Sequence, residues 1–264
     1  MDRQLLIVST SCFLAAIIRT VIALRAGVFR SARFNFFAIG LGFIFQTAFL
    51  SIRGHALGRC PLTNLFEVFI FVAWSIAFIY LLVGPTYRLS LMGAFTAPVV
   101  VLLQTFALVA PIDIRHPLKL LPNPWLEFHA SISTVAYGAF ALACIAGVMY
   151  LVQERQIKTH QIRFISYHLP PLTDLFAIIT RLLWLGFALY SAGLVSGFFI
   201  DRPLPRAQVA GAIVVWLLYA AILQGWHLRR LAPRRVAVLC IAGFGAALTL
   251  LWGISFSAQT HPLP

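Results

Sequence analysis

The chain is a succession of apolar stretches separated by short polar breaks. An apolar stretch of about 20 residues can cross the hydrocarbon core of a membrane as a helix. Sustained hydropathy predicts eight such spans, near residues 5–24, 36–52, 62–83, 89–110, 128–152, 177–200, 207–228 and 235–257. The breaks between them carry proline, glycine and charge, and none is long enough for a separate water-soluble domain. The pattern predicts an all-α integral membrane protein, a bundle of about eight transmembrane helices forming one polytopic domain over residues 1–264.

The composition agrees with a membrane protein and excludes a soluble fold. Apolar residues make up 61% of the chain and charged residues only 10%, whereas soluble domains carry roughly 25% charged residues. The first span has no small-residue cleavage site after it, so we expect it to be retained rather than removed as a signal peptide. The four cysteines have no C-x-x-C spacing, which argues against a zinc site or a disulfide framework.

The distribution of positive charge predicts the orientation in the membrane. The net charge of +13 would suggest nucleic-acid binding in a soluble protein, but in a membrane protein Lys and Arg concentrate in cytoplasmic loops. The strongest cluster, between the last two spans, consists of Arg229, Arg230, Arg234 and Arg235. We therefore expect both termini on the outer (periplasmic) side of a bacterial inner membrane, with the lipid bilayer as a partner and no nucleic acid.

Among the seven histidines, His129 is the leading candidate for binding a metal or heme. It begins the fifth predicted span, in the run Trp125-Leu126-Glu127-Phe128-His129. An imidazole at the outer end of an apolar helix can reach a cofactor that lies at the headgroup level, and imidazole is a common ligand of heme iron. The alternative is an interfacial histidine that hydrogen-bonds backbone or water, and the sequence gives the two interpretations equal weight.

Three segments resemble the cytochrome c assembly family, which includes CcsA-type, CcmC-type and HemX-like membrane proteins. Pro61-Leu62-Thr63-Asn64-Leu65-Phe66-Glu67 is similar to the family's PLxNxxE segment. The run Trp125 to His129, followed by Tyr137, is similar to its WLxxHxxxxxxxY segment. A third match runs from Leu169 to Gly197 and is followed by Trp216-Leu217-Leu218-Tyr219. The resemblance is strongest over 58–257.

The resemblance implies a bundle that receives heme and presents it to apocytochrome c, or to another cytochrome c assembly membrane protein, at the outer surface. The position of the family's external axial ligand to heme iron is occupied by His129. The candidate for a second external ligand is His261. His227 lies one helical turn from the position of a membrane-embedded histidine. Trp125 and Tyr137 belong to the same segment as His129 and are candidate supporting residues.

Four polar residues near the start of the third span are further candidates. Asn64 and Glu67 are three residues apart and share a helix face. They either support a functional group or form a hydrogen-bonded clamp between helices. Arg53 and Arg59, in the preceding outer loop, either pair with heme propionates, since a guanidinium matches a carboxylate, or are solvated loop charges.

The chain departs from the family in one segment. Heme-delivering members carry a tryptophan-rich external segment of the form W-G-x-x-W-x-W-D, and nothing between Phe198 and Val209 resembles it. This departure indicates the HemX-like branch. No phosphate loop, nucleophile elbow, HExxH or carboxylate dyad is found, so we expect an assembly or carrier factor rather than an enzyme.

Three functions remain open from the sequence. The first is heme handling in cytochrome c biogenesis. The second is a HemX-like accessory or regulatory protein that binds a partner protein and no heme. The third is a small-molecule or ion transporter, which is favoured by glycine-interrupted spans such as Ile39-Gly40-Leu41-Gly42.

Overall fold

The structure, a computed structural model, describes residues 2–26, 32–62, 64–83, 92–110, 113, 123–159, 171–200 and 206–260. Eight helices lie within these ranges: α1 (Asp2–Arg25), α2 (Ala32–Leu57), α3 (Leu65–Val83), α4 (Met92–Val109), α5 (Pro124–Lys158), α6 (Leu172–Gly197), α7 (Arg206–His227) and α8 (Pro233–Thr260). Each of the eight is long and apolar enough to cross a membrane. The prediction of an all-α membrane bundle of about eight helices is confirmed.

Two helices extend well beyond their predicted spans. Helix α2 continues past residue 52 to Leu57 and ends where Gly58 adopts a left-handed conformation with φ of 64°, which glycine tolerates without steric cost. Helix α5 begins at Pro124 because Asn123 caps it: the Asn123 side chain accepts hydrogen bonds from the N–H groups of Trp125 and Leu126. At 1.5 Å per residue, the 35 residues of α5 extend about 52 Å, beyond the ~30 Å hydrocarbon core.

Consecutive helices run in opposite directions. Asn35, near the start of α2, donates to Thr20, near the end of α1, at 2.7 Å, and Tyr190, near the end of α6, donates to the Ala212 carbonyl, near the start of α7, at 3.3 Å. One end of the bundle holds the starts of α1, α3, α5 and α7 and the ends of α2, α4, α6 and α8; we call it the His129 end. The opposite end holds the turn between α7 and α8.

Helix α5 is central to the core, where it packs against α3, α6 and α8. Its side chains are mostly buried between Ala136 and Tyr150. A Cβ atom added to Gly138 would lie 2.6 Å from the Ser75 Cβ, so glycine at this position allows α3 and α5 to approach closely. Deeper in the core, the rings of Phe140 and Tyr219 stack with centroids 3.7 Å apart.

Hydrogen bonds between polar side chains join the N-terminal helices to α4. Thr10 donates to the Gln104 side-chain oxygen at 3.0 Å, and the Gln104 side-chain nitrogen donates to Ser9 at 3.2 Å. Ser9 in turn donates to the Gly42 carbonyl at 2.8 Å. Polar groups at membrane depth need such partners because lipid offers none. These bonds hold α1, α2 and α4 together.

Candidate functional site

The His129 side chain lies between α5 and α6 at the His129 end. It sits in the second turn of α5 because the Asn123 cap starts this helix earlier than the hydropathy pattern predicts. Helix α6 approaches it through two glycines: a Cβ on Gly197 would lie 3.4 Å from His129 Nδ1, and one on Gly193 would lie 2.3 Å from the Ser133 hydroxyl. The small residues of α6 therefore make room for the imidazole.

A backbone carbonyl fixes the tautomer of His129. The Nδ1 atom lies 2.7 Å from the Gly193 carbonyl oxygen. A carbonyl can only accept, so Nδ1 carries the proton and the neutral ring has its lone pair on Nε2. Ser196 donates to the same carbonyl at 2.6 Å and lies 3.5 Å from Nδ1. The imidazole thus has the protonation pattern of a histidine that binds a metal through Nε2.

A cavity of about 110 Å³ adjoins His129. His129, Ser133 and Tyr137 line it from one face of α5, four residues apart, and Tyr190 and Gln208 line it from α6 and α7. The Tyr137 and Tyr190 rings meet edge to face with centroids 5.9 Å apart. The structure therefore brings His129 and Tyr137, two of the predicted site residues, to one cavity with a mixed polar and apolar lining.

The donor group fits heme iron, whereas the cavity does not enclose a porphyrin. Neutral imidazole with a free lone pair on Nε2 is an axial ligand for heme iron. However, pockets that enclose ligands typically measure about 300–1,000 Å³, and this cavity is about 110 Å³. A heme held by His129 would have most of its macrocycle outside the cavity.

Trp125 lies at the surface near His129. Its ring stacks on that of Phe199, with centroids 4.9 Å apart and an interplanar angle of 26°. Both side chains are about half exposed. This aromatic pair joins the first turn of α5 to the residues after α6, so it adds an apolar surface at the His129 end.

Of the other two candidate ligands, His227 is not brought to this cavity. His227 is the exposed last residue of α7. Nineteen residues separate it from Gln208, which lines the cavity, and this places it roughly 28 Å farther along the helix. His227 therefore cannot share an iron atom with His129. His261 lies outside the described residues.

A buried ionic cluster lies at the same end of the bundle, and we call it the Arg53 cluster: Arg3, Arg53, Asn64, Glu67 and Asp113. Arg53 Nε donates to Glu67 Oε1 at 2.7 Å, and the Arg53 guanidinium also donates to both carboxylate oxygens of Asp113. Asp113 further accepts from Asn64 at 3.2 Å and from Arg3 at 3.3 Å. Two arginines and two carboxylates balance in charge, so the buried charges of Arg53 and Glu67 are compensated by opposite charges, while Arg3 is largely exposed.

This cluster corrects the predicted location of Arg53. The charge lowers the local hydropathy, which placed Arg53 in a loop after the second span. The structure instead places it inside α2, with only 4% of its side chain exposed. Its guanidinium also lies 5.0 Å from the centroid of the Phe66 ring. The Arg53 guanidinium already donates its hydrogen bonds to the Glu67 and Asp113 carboxylates. Arg53 therefore holds helices together.

Asn64 and Glu67 share a face, as their spacing predicts. Asn64 Oδ1 accepts from the Glu67 backbone N–H at 2.9 Å, while its amide donates to Asp113. Together with the bond from Arg53 to Glu67, these bonds join the start of α3 to α2 and to Asp113, four residues after α4. Of the two alternatives for this pair, the contacts form the hydrogen-bonded clamp between helices. Arg59 lies in the turn after α2, where its backbone N–H bonds the Gly54 carbonyl at 3.2 Å.

Cys60 follows in the same turn and contacts α5. Its Sγ lies 3.3 Å from the Ser131 hydroxyl, two residues from His129. Burial raises the pKa of the Cys60 thiol, and the hydrogen bond with Ser131 opposes this shift. The thiol is therefore protonated and weakly reactive near neutral pH.

Three partners in these sites were not predicted from the sequence. Asp113 and Arg3 complete the Arg53 cluster, and Gly193 supplies the acceptor for His129. Asp113 had a usable signal, because the chain has only 7 acidic residues for 20 basic ones and an acid in such a chain has many potential partners. No sequence signal could have indicated the Gly193 carbonyl, since every residue has a backbone carbonyl.

Comparison with known proteins identifies the family. The model of the family described as "Cytochrome C assembly protein" matches residues 62–260, which covers α3 to α8 and the whole His129 cavity. The chain belongs to the cytochrome c assembly protein family. The resemblance stated from the sequence is confirmed at this level, and the assignment to a HemX-like branch stays a prediction.

Relatives in photosynthetic organisms are similar over most of their length. The cytochrome c biogenesis protein CcsA of Porphyra purpurea is 25% identical over 252 residues, covering 78% of this chain and 79% of the relative. CcsA of Mesostigma viride is 24% identical over 245 residues, covering 80% and 79%. CcsA of Prochlorococcus marinus (strain MIT 9301) is 26% identical over 241 residues, covering 78% and 76%.

Proposed function

We propose that this multi-pass membrane protein is an assembly factor of cytochrome c biogenesis that holds heme through His129. The bond between His129 Nδ1 and the Gly193 carbonyl carries the proposal, because it orients the ring and leaves Nε2 for iron. The family membership and the names of the CcsA relatives support the same process. In this role the protein binds and presents a cofactor, and it does not itself supply a nucleophile or an acid–base pair.

The chain's own residues would position the heme and supply one axial ligand. The iron chemistry would belong to the heme. The Gly193 carbonyl accepts a hydrogen bond from His129 Nδ1–H, which would increase the electron donation of the ring to a bound iron. The Trp125–Phe199 pair offers an apolar surface for part of the macrocycle. His261, directly after the last residue of α8, or a histidine of a partner protein would supply the second ligand.

We further propose that the His129 end faces the compartment in which c-type cytochromes are assembled. Helices α7 and α8 present four arginines at the other end, and such clusters remain on the cytoplasmic side of membranes. In a bacterium this would place His129 at the periplasmic face of the inner membrane. Apocytochrome c, or another membrane protein of the assembly system, would then meet the heme at this end.

Absorption spectroscopy tests the proposal. The protein is purified in mild detergent from heme-replete cells, and its oxidised and reduced spectra are recorded with a pyridine hemochrome assay for stoichiometry. We expect about one heme per protein with a low-spin spectrum. His129→Ala should remove the heme band, while His55→Ala, which changes an exposed histidine at the same end, should retain it.

One observation favours a second candidate function. The cavity beside His129 is too small to enclose heme, as expected for an accessory protein that binds a partner protein and no heme. That function predicts no heme band in the wild type even after heme supplementation. In that case His129 would have a structural role, holding α5 against α6.

A further inference from the structure

Four arginines lie close together at the end of the bundle opposite His129. Residues 229–235, which form the turn after α7 and the first residues of α8, contain Arg229, Arg230, Arg234 and Arg235, and all four are exposed. We call this segment the arginine turn. None of the four belongs to the His129 cavity or to the Arg53 cluster, so neither site accounts for them.

The end of α5 adds further positive charge. Arg155 and Lys158 are also exposed there. Glu154 pairs with Lys158 at 2.7 Å and with Arg234 at 3.6 Å, which brings the end of α5 beside the arginine turn. Asp174, exposed in the first turn of α6, is another acid of the described residues at this end. Six basic residues and two acidic ones leave this surface positively charged.

Apolar side chains border the charges. Leu228 and Ile157 are 50% and 51% exposed, and the Trp226 ring packs edge to face on Phe176 with centroids 4.6 Å apart. Tryptophan and exposed aliphatic side chains next to arginine are typical of the interface between hydrocarbon and headgroups. Guanidinium groups beside such side chains are within reach of lipid phosphates when the helix end lies at this interface.

Backbone hydrogen bonds close the turn after α7. The N–H of Arg229 donates to the Trp226 carbonyl at 2.8 Å, and that of Arg230 donates to the Gly225 carbonyl at 3.0 Å. This pattern ends helices with a left-handed residue, which is usually glycine. Here that residue is Arg229, with φ of 54°. The turn thus presents a charged side chain at a position where glycine is preferred.

We propose that the arginine turn, together with Arg155 and Lys158, binds the headgroups of anionic phospholipids. A guanidinium donates two parallel hydrogen bonds to a phosphate, which gives geometric specificity as well as charge. Each basic residue near an anionic membrane surface contributes about a fivefold preference over a neutral surface. The surface would hold anionic lipid at this end whether or not heme binds at the other.

Lipid retention measured by native mass spectrometry tests this surface. The full chain is placed in nanodiscs of equal phosphatidylglycerol and phosphatidylcholine, and the two lipids that remain bound after release are counted. We expect the wild type to be enriched in phosphatidylglycerol. The variant R229Q/R230Q/R234Q/R235Q should lose at least about fivefold of that enrichment, while Arg206→Gln, an exposed arginine at the other end of α7, should keep it.

Two further measurements keep the test decisive if the fourfold variant fails to insert. The single variants Arg230→Gln and Arg235→Gln should each lose part of the enrichment. Raising the salt concentration from 0.1 to 1 M, which shortens the Debye length from about 10 to about 3 Å, should reduce it in the wild type. The proposal would be overturned if the wild type and these variants were equally enriched in phosphatidylglycerol. It would also be overturned if Arg206→Gln lost as much of the enrichment as they do, or if salt had no effect on it.

Discussion

Breaking the Arg53 cluster should destabilise the bundle strongly. Only 4% of the Arg53 side chain and 1% of the Glu67 side chain are exposed, and their atoms Nε and Oε1 are 2.7 Å apart. Arg53→Met keeps much of the side-chain volume but removes the cation nearest to Glu67 and Asp113. Removing one member of a buried ion pair costs about 3–5 kcal/mol because the opposite charge stays buried. We expect a loss of that size in the free energy of unfolding.

Unfolding in mixed detergent micelles, followed by circular dichroism, measures this free energy. Arg53→Met/Glu67→Gln should be more stable than Arg53→Met alone, because neutralising Glu67 removes one of the uncompensated charges; a coupling of about 0.5–3 kcal/mol is typical of contacting residues. Arg3→Gln is the matched control. The Arg3 side chain is 60% exposed, so this change should cost at most about 1 kcal/mol.

The reasoning would be refuted if Arg53→Met were as mild as Arg3→Gln. That outcome would mean that water reaches the buried carboxylates and solvates them. Equal stabilities of the single and double variants would show instead that Asp113, and not Glu67, is the main partner of the guanidinium.

Three further perturbations test other contacts. Gly138→Ala should cost about 1–3 kcal/mol in unfolding free energy, since its Cβ would meet the backbone of α3 at 2.7 Å, whereas Gly245→Ala has nothing within 4 Å and should be neutral. Ser196→Ala removes the hydroxyl that shares the Gly193 carbonyl with His129. The hydrogen bond from His129 to this carbonyl should then strengthen and lower the reduction potential of bound heme, measured by spectroelectrochemistry. An unchanged potential would contradict this. Maleimide should label the Cys60 thiol slowly at pH 7 and faster as the pH rises, because burial raises its pKa. Ser131→Ala should slow the reaction further at a given pH, because it removes the hydrogen bond that lowers this pKa. Faster labelling of Ser131→Ala would show that access to the thiol, rather than its pKa, controls the rate.

The number and type of the helices were predictable because each apolar run is a local signal. The ends of the helices were harder to predict, as α5 shows. Asn123 and Pro124 lie in a polar segment that hydropathy reads as a loop, yet the Asn123 side chain caps the helix and proline is well suited to its first turn. Four residues were therefore missing from the predicted start of this span, and His129 lies deeper in the helix than expected.

The side chains of the candidate site were predictable from the sequence, but the backbone group that orients them was not. His129 and Tyr137 belong to one sequence motif and do line the same cavity. The acceptor that orients His129 is the backbone of α6, 64 residues later, and residue type carries no information about it. Arg53 illustrates the same difficulty. Its charge lowers the hydropathy of the segment, and the carboxylates that compensate this charge, Glu67 and Asp113, are known only once α3 and the segment after α4 are in place.

The order of synthesis gives the Arg53 cluster a further consequence. Arg53 is made 14 residues before Glu67 and 60 residues before Asp113. At about 5–20 residues per second, roughly 3 to 12 s pass between the arginine and its second carboxylate. During that interval α2 carries a guanidinium whose final counterions have not yet been synthesised. Arg53 lies near the end of α2, where the aqueous interface is within reach of its side chain. This location suits an insertion pathway in which α1 and α2 insert before the rest of the chain.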